Sequence, residues 1–233
     1  MGKKFKLTIR HPVSIREKVY DVIRNDILNA HIAPGERVVE TRLAEQIKTS
    51  RTPVREALHM LEREGLLEAI PRVGYLVKQI TWDEIEEICE IRAVNECLAA
   101  RWAMKRMTPK ELQALEDNLC LSEAEVKQGN PSSFVEFDAE FHEILARASG
   151  SARLLELCQM LRRHMLRYRI ESIFRKDNAL RAIAGHKAIV ACIKRKDQEG
   201  VEMAIKQHLE QSKRDIQRYA FNEQLEKESV SRG

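Results

Sequence analysis

Asp138 and His142 stand four residues apart in a helical pattern whose apolar side is Phe134, Phe137, Phe141, Ile144 and Leu145, so both project from that side. His186 falls on the stripe of Ile183, Val190 and Ile193, and His208 falls with Val201, Ile205 and Ser212. One carboxylate and three neutral imidazoles pointing inward from three helices suit a borderline divalent ion, Zn²⁺ or Ni²⁺, with positions left for a further ligand. The competing reading is a packed core in which each imidazole bonds to a carbonyl and Asp138 makes a local salt bridge. A buried carboxylate needs a partner in either case, and register alone does not choose between the two. Arg92, seven residues after Ile85 and beside Ile88 and Cys89, lies on another inward stripe. A buried guanidinium needs an anion, either Glu96 one turn on or the carboxylate of a bound small molecule.

A second set of residues suits a polyanion. Ser50-Arg51-Thr52-Pro53-Val54-Arg55 opens a helix. The hydroxyls of Ser50 and Thr52 and the unpaired amides of a helix start can hold phosphate. Arg51 and Arg55, four apart, share one face and can enter a major groove together, where an arginine bonds guanine O6 and N7. Taken alone, both could equally pair with Glu56, Glu62 or solvent. The elements around them change that balance.

Ser14 and Glu17 form a capping box, and Ile15, Val19, Val22, Ile23 and Ile27 continue at helical spacing, which predicts a helix to about Asn29. Ala33-Pro34-Gly35 breaks the pattern. A short helix from Glu40 carries Leu43, Ala44 and Ile47, and Lys48-Thr49-Ser50 makes a tight turn. The third helix has Pro53 in its first turn, an inner side of Val54, Ala57, Leu58 and Leu61, and Gly65 at its end. Two short apolar runs around Pro71-Arg72-Val73-Gly74 read as a β-hairpin, with Arg72 at a tip that can reach a minor groove or the backbone. Three helices and a hairpin are the order of a winged helix-turn-helix. Beyond Thr81, itself a cap, the pattern predicts only helices, at 82–107, 109–128, 132–149, 151–174, 178–196 and 199–222, with a polar tail after Asn222. The expected fold is mainly α, a winged helix-turn-helix at 1–80 joined to an all-α antiparallel bundle at 81–233.

Composition agrees. Of 233 residues 43% are apolar, 33% charged and only 5% aromatic, which favours soluble helical packing. Residues 1–80 carry 15 Lys and Arg against 10 Asp and Glu, and the remainder carries 25 against 26, so the basic excess sits with the first domain. No apolar run nears the ~20 residues that span a bilayer. Residues 1–9 are basic but lack the apolar core of a signal peptide, and Lys6 stands where a myristoylation signal has Ser or Thr. A cytoplasmic protein without membrane contact is expected. The five cysteines make no C-x-x-C pair and fall in helical patterns, as free, mostly buried thiols.

Residues 43–77 resemble the GntR family of bacterial winged-helix regulators, most closely in the stretch 50–58 and its continuation Leu61-Glu62-Arg63-Glu64-Gly65-Leu66. The resemblance implies DNA contacts at Ser50, Arg51, Thr52 and Arg55, with Arg72 and Gly74 at the wing tip. Where the family often has Gly-Arg-Gly, this wing has Arg72-Val73-Gly74. Arg42, one helix earlier, could contact phosphate or face solvent. Residues from about 82 to 220 resemble the FCD ligand-binding domain of the FadR-type branch. Its metal-binding members carry an Asp-x-x-x-His pair and two later histidines, which implies Asp138, His142, His186 and His208 as ligands. An arginine in its first helix lines the effector cavity, which implies Arg92 and a small carboxylate effector.

The expected function is a ligand-responsive repressor, a homodimer reading a palindromic double-stranded operator, with the helical domain sensing a small acid through a metal. One alternative is a constitutive DNA-binding dimer whose helical domain is structural. The other is a metal-dependent enzyme. His142-Glu143 begins the zinc-protease pattern, but Ala146 stands where the second His is required. No P-loop, G-x-S-x-G or dinucleotide fingerprint is present, so the expectation is that the chain is not an enzyme. Arg162, Arg163, Arg167 and Arg169 read as surface or dimer contacts, and His164 as packing.

Overall fold

A computed structural model describes residues 14–28, 31–79, 81–173 and 175–222, without the side chains of 166–171, 173 and 220–222. Residues 1–9, the expected helix end at Asn29, the side chains of Arg167 and Arg169, and the tail after Asn222 lie outside the described residues. The chain divides into two compact units, Met1–Gln79 and Ile80–Gly233.

In the first unit, Glu17 N donates to Ser14 Oγ and Ser14 N to Glu17 Oε2, and this reciprocal cap starts α1 (Ile15–Leu28). Its inner side is Val19, Ile23, Ile27 and Leu28. Ile15 and Val22, expected inside, are exposed. They are seven residues apart, on a stripe displaced from the buried one, and with Leu43 and Ile47 they line an apolar cleft. Helices α2 (Glu40–Gln46) and α3 (Arg51–Arg63) follow, and Val54, Ala57, Leu58 and Leu61 of α3 are fully buried. Gly65, at φ +74°, turns the chain out of α3.

The hairpin is β2 (Leu67–Ile70) and β3 (Gly74–Val77), and a strand absent from the sequence reading, β1 (Arg37–Val38), pairs with the other edge of β3. Val38 faces Tyr75 and Arg37 faces Leu76 in an antiparallel register. Two residues are too few for alternation to register in sequence. This third strand explains Gly74. Its φ is +114°, and a Cβ there would meet the Val38 carbonyl oxygen at 3.0 Å.

The second unit is helical throughout its described residues. Thr81 and Glu84 form a capping box for α4 (Trp82–Arg106), and Thr108 and Glu111 form one for α5 (Pro109–Lys127), where Pro109 opens the first turn. A 3₁₀ turn, Pro131–Ser133, leads into α6 (Phe134–Ala148), followed by α7 (Ala152–Ile173) and α8 (Lys176–Arg195). Asp197 accepts from Gly200 N to start α9 (Gln198–Ile216). The α-helix expected to 222 ends at Ile216 and continues as a π turn, Gln217–Asn222. The main core joins Ala100 of α4, Leu115 of α5, Phe141 of α6, Ile189 of α8 and Ile205 of α9. Those helices are therefore fixed against one another before any ligand is considered. Cys89, Cys97, Cys158 and Cys192 are buried free thiols and Cys120 is exposed. Burial pushes Cys97 and Cys158 up to about 11, which makes them poor nucleophiles.

Candidate metal centre and nucleic-acid interface

Helix α6 presents Asp138 and His142 one turn apart, α8 presents His186 and α9 presents His208, all four buried. One donor atom from each comes within 4.8 Å of every other. Phe141 stacks on His186 with ring centres 3.9 Å apart and planes 7° apart, which fixes that imidazole. Asp138 Oδ1 lies 3.5 Å from His186 Nε2 and 3.8 Å from His142 Nε2, while Asp138 Oδ2 accepts from Arg162 Nη2 at 2.9 Å. Gly185 leaves open the space that the His208 ring occupies. A Cβ on that α8 residue would sit 2.8 Å from His208 Nδ1.

A further layer surrounds these residues. Arg92 donates from Nε to Glu96 Oε1 at 2.8 Å, and its Nη2 is 2.7 Å from the same oxygen. The other oxygen, Glu96 Oε2, lies 3.0 Å from His142 Nδ1. Burial would raise the Glu96 carboxyl, but Arg92, His142 and Arg162 together hold it well below the usual carboxylate range. Burial pushes His142 down, with Glu96 opposing, and so favours its neutral ring.

The donors fit a divalent ion. They are one carboxylate and three imidazoles, and the buried Nε2 of His142 has no hydrogen-bond partner among the described residues. Tetrahedral zinc ligands about 2.1 Å from the ion stand about 3.4 Å from one another, so a pair at the 4.8 Å limit must draw in by about 1.4 Å to share it.

Arg92 and Glu96 thus pair with one another, the structural alternative of the two, while the buried Nη1 of Arg92 has no hydrogen-bond partner among the described residues. Arg162 corrects its expected surface or dimer role. It is partly buried on Asp138, because it follows Leu154 and Cys158 at intervals of four on the inward side of α7. Two spaces adjoin the cluster. One of about 10 Å³ lies among Glu96, His142, Cys158 and Arg162, and a cleft of about 140 Å³ beside His208 is lined by Asn178, Arg181, Gln211 and Asp215.

In the first unit Arg42, Ser50, Arg51, Thr52, Arg55 and Arg72 are all exposed. Ser50 precedes α3 in extended conformation and makes no side-chain cap bond to the helix. Arg72 takes φ +64° at the hairpin tip, and Gly74 is held by the approach of β1. Arg51 and Arg55 do share a face, but neither pairs with Glu56 or Glu62. Both reach Glu40, at the start of α2. Arg51 Nε donates to Oε1 at 2.8 Å, and Arg55 Nε and Nη2 donate to Oε2 and Oε1 at 2.9 and 3.0 Å. These bonds, chiefly those from Arg55, keep the Glu40 carboxyl below its ordinary range.

Residues 15–77 match the family of bacterial regulatory proteins, gntR family, and residues 87–211 match the FCD domain. The chain is 27% identical to the HTH-type transcriptional repressor RspR of Escherichia coli (strain K12), over 84% of this chain and 86% of that one. It is 31% identical to the HTH-type transcriptional regulator YdhC of Bacillus subtilis (strain 168), over 82% and 84%. Among solved structures, E. coli McbR/YncC superposes with a TM-score of 0.72 at 25% identity, covering 89% of this chain and 99% of that one. No helix among the described residues is long and apolar enough to cross a membrane. With its winged helix and its helical body both matched, the chain belongs to the GntR family of DNA-binding transcription regulators, in the group that carries an FCD domain.

Proposed function

We propose that this regulator is a cytoplasmic homodimeric repressor that holds a palindromic operator until a small organic acid reaches a divalent ion, Zn²⁺ or Ni²⁺, in its FCD domain. The observation that carries the reading is the convergence of Asp138, His142, His186 and His208 within 4.8 Å in a buried site. A bound ion would supply a Lewis-acidic point for a ligand oxygen. Glu96 beside His142 Nδ1 favours the proton on that nitrogen and leaves the Nε2 lone pair for the cluster, the outer-shell arrangement that orients metal-binding histidines. The formal charges of Arg92, Arg162, Glu96 and Asp138 cancel, so a dication adds uncompensated buried charge that an anionic ligand would balance. That favours a carboxylate effector. Arg92 is its proposed contact, taken in competition with Glu96.

Arg42, Ser50, Arg51, Thr52, Arg55, Arg72 and Gly74 form the proposed DNA surface, with Arg51 and Arg55 reading bases and the rest positioning the backbone. Two-fold operators are read by two-fold proteins, and Ile91 and Val94, exposed on α4, offer apolar surface to a second copy. An effector changes operator affinity only by binding the two conformations unequally. RspR, a repressor by name, supports the sign. Gel shifts on duplex from the region upstream of this chain's own coding sequence test the reading, with and without metal and candidate acids. Release by an acid only in the metal-loaded protein is expected, and no sequence-specific shift under any condition contradicts it.

The closure of Arg92 on Glu96 favours one second reading, a constitutive dimer with a structural helical domain. Elemental analysis of protein purified without added metal separates the two, since a metal-free chain indifferent to Zn²⁺ and Ni²⁺ would favour the second. Glu143, next to His142, is 40% exposed and pairs with Arg147, which weighs against a role as the base of a hydrolase.

A further inference from the structure

The carboxylate of Glu40 is tied into the arginine pair of α3 from a different helix. It accepts three hydrogen bonds, one from Arg51 and two from Arg55, while its own side chain is only 16% exposed. The arginines keep more than half of their surface in water. This arrangement has two consequences. Charge-assisted bonds from two guanidinium groups to one carboxylate hold both forks in a fixed relation, where free arginines would sample many rotamers. The shared carboxylate also reduces the formal charge of the trio from +2 to +1. Sequence-independent attraction to DNA scales with the number of cations that replace counterions. A resident anion weakens that attraction on every duplex. Only a duplex whose base edges match the held forks recovers the loss.

We propose that Glu40 is a specificity-determining positioning residue. It holds Arg51 and Arg55 in reading geometry and restrains their binding to DNA of arbitrary sequence. The proposal rests on the reading of the α3 face as the DNA surface. It does not depend on the metal centre or the effector.

The test compares the full-length protein with Glu40→Gln, Glu40→Asp and the double variant Arg51→Ala/Arg55→Ala. The probes are a random-sequence 30-base-pair duplex and duplexes that the unaltered protein selects from a randomised library. Binding is followed by fluorescence anisotropy between 50 and 200 mM salt. On the random duplex, Glu40→Gln is expected to bind about 3- to 10-fold tighter at the lowest salt. Its log K against log salt slope should steepen by about 1 per subunit engaged, the signature of one more released counterion. Its preference for the selected duplexes over the random one should fall by at least the same factor. Glu40→Asp keeps the charge on a shorter arm, so it should keep the original slope and lose preference. It also carries the test should Glu40→Gln fail to fold by circular dichroism, for an Asp variant with unaltered preference would overturn the proposal. An unchanged slope with unchanged or weaker random-duplex binding in Glu40→Gln would overturn it too, leaving the residue a structural tie between α2 and α3. If the double variant binds both probes as well as the unaltered protein, the reading of the α3 face fails instead.

Discussion

The molecule contains two arginine–carboxylate arrangements that are chemically alike and opposite in setting. In the FCD domain, Arg92 and Glu96 have side chains 1% and 6% exposed, and Glu96 also touches His142. In the winged helix, Arg51 and Arg55 are 60% and 54% exposed, and Glu40 is 16% exposed. Burial makes the first pairing obligatory, because either charge left alone is strongly penalised and water does not replace the missing partner. Exposure makes the second cheaper to lose for the fold, since water can solvate a guanidinium left without its carboxylate. The same side chains therefore form a mount the fold depends on in one domain and an orienting contact at the surface in the other.

The sharpest way to break this contrast is to remove each carboxylate in turn. Glu96→Ala strands the Arg92 charge in the core and should cost about 3–5 kcal/mol in urea unfolding of the metal-free protein. Glu40→Ala should move the midpoint far less. Equal losses would mean that burial does not separate the two pairs.

The next largest effect is expected at Gly185. Alanine is the better helix former by about 1 kcal/mol, yet its Cβ would press on His208 Nδ1. Gly185→Ala should weaken Zn²⁺ or Ni²⁺ binding by about 10- to 100-fold, as loss of supporting contacts does at metal sites. The isolated fold should stay near its original stability. Unchanged affinity by calorimetric titration would show that the His208 ring has room to shift without loss of the site.

Most of the cluster was legible in the sequence because it obeys helical register. Asp138, His142, His186 and His208 each share a stripe with residues that are buried in the structure, and Glu96 is simply one turn from Arg92. Arg162 was obscured by its neighbours, since four arginines within one stretch read as surface although one of them continues the inward stripe of Leu154 and Cys158. Gly185 carries no sequence signal, because its role is visible only when α9 is laid against it. Glu40 was missed for a related reason. It lies 11 and 15 residues from its partners, and only the packing of α2 on α3 brings them together. Strand β1 is two residues long, below the length at which periodicity carries information.

Acid should separate the two regions more gently. The Glu96 carboxyl is depressed in the folded state, so its contribution is complete above its unfolded value near 4.5 and is lost as pH falls through the lower folded value. The His142 ring is also depressed, so the unfolded chain binds its proton first, and stability begins to fall below about 6.5. Metal-free protein should therefore lose helical-domain stability in two stages on acidification, the first below 6.5 and the second below 4.5. Glu96→Gln should shrink the second stage, leaving only the small shares of the depressed but partly exposed Glu111, Glu123 and Glu210. The Glu40 carboxyl is depressed as well, but the exposure of its two arginine partners should make its share of the loss small.

The most direct test of the metal-sensing account is titration of metal-free protein with Zn²⁺ and, separately, Ni²⁺, following uptake by calorimetry and stability by thermal unfolding. The account predicts saturation at one ion per chain. It also predicts a gain of about 2.7 kcal/mol when free metal is 100-fold above Kd, with both effects abolished in Asp138→Ala and His186→Ala. No saturable uptake of either ion, or undiminished uptake in those two variants, would contradict it.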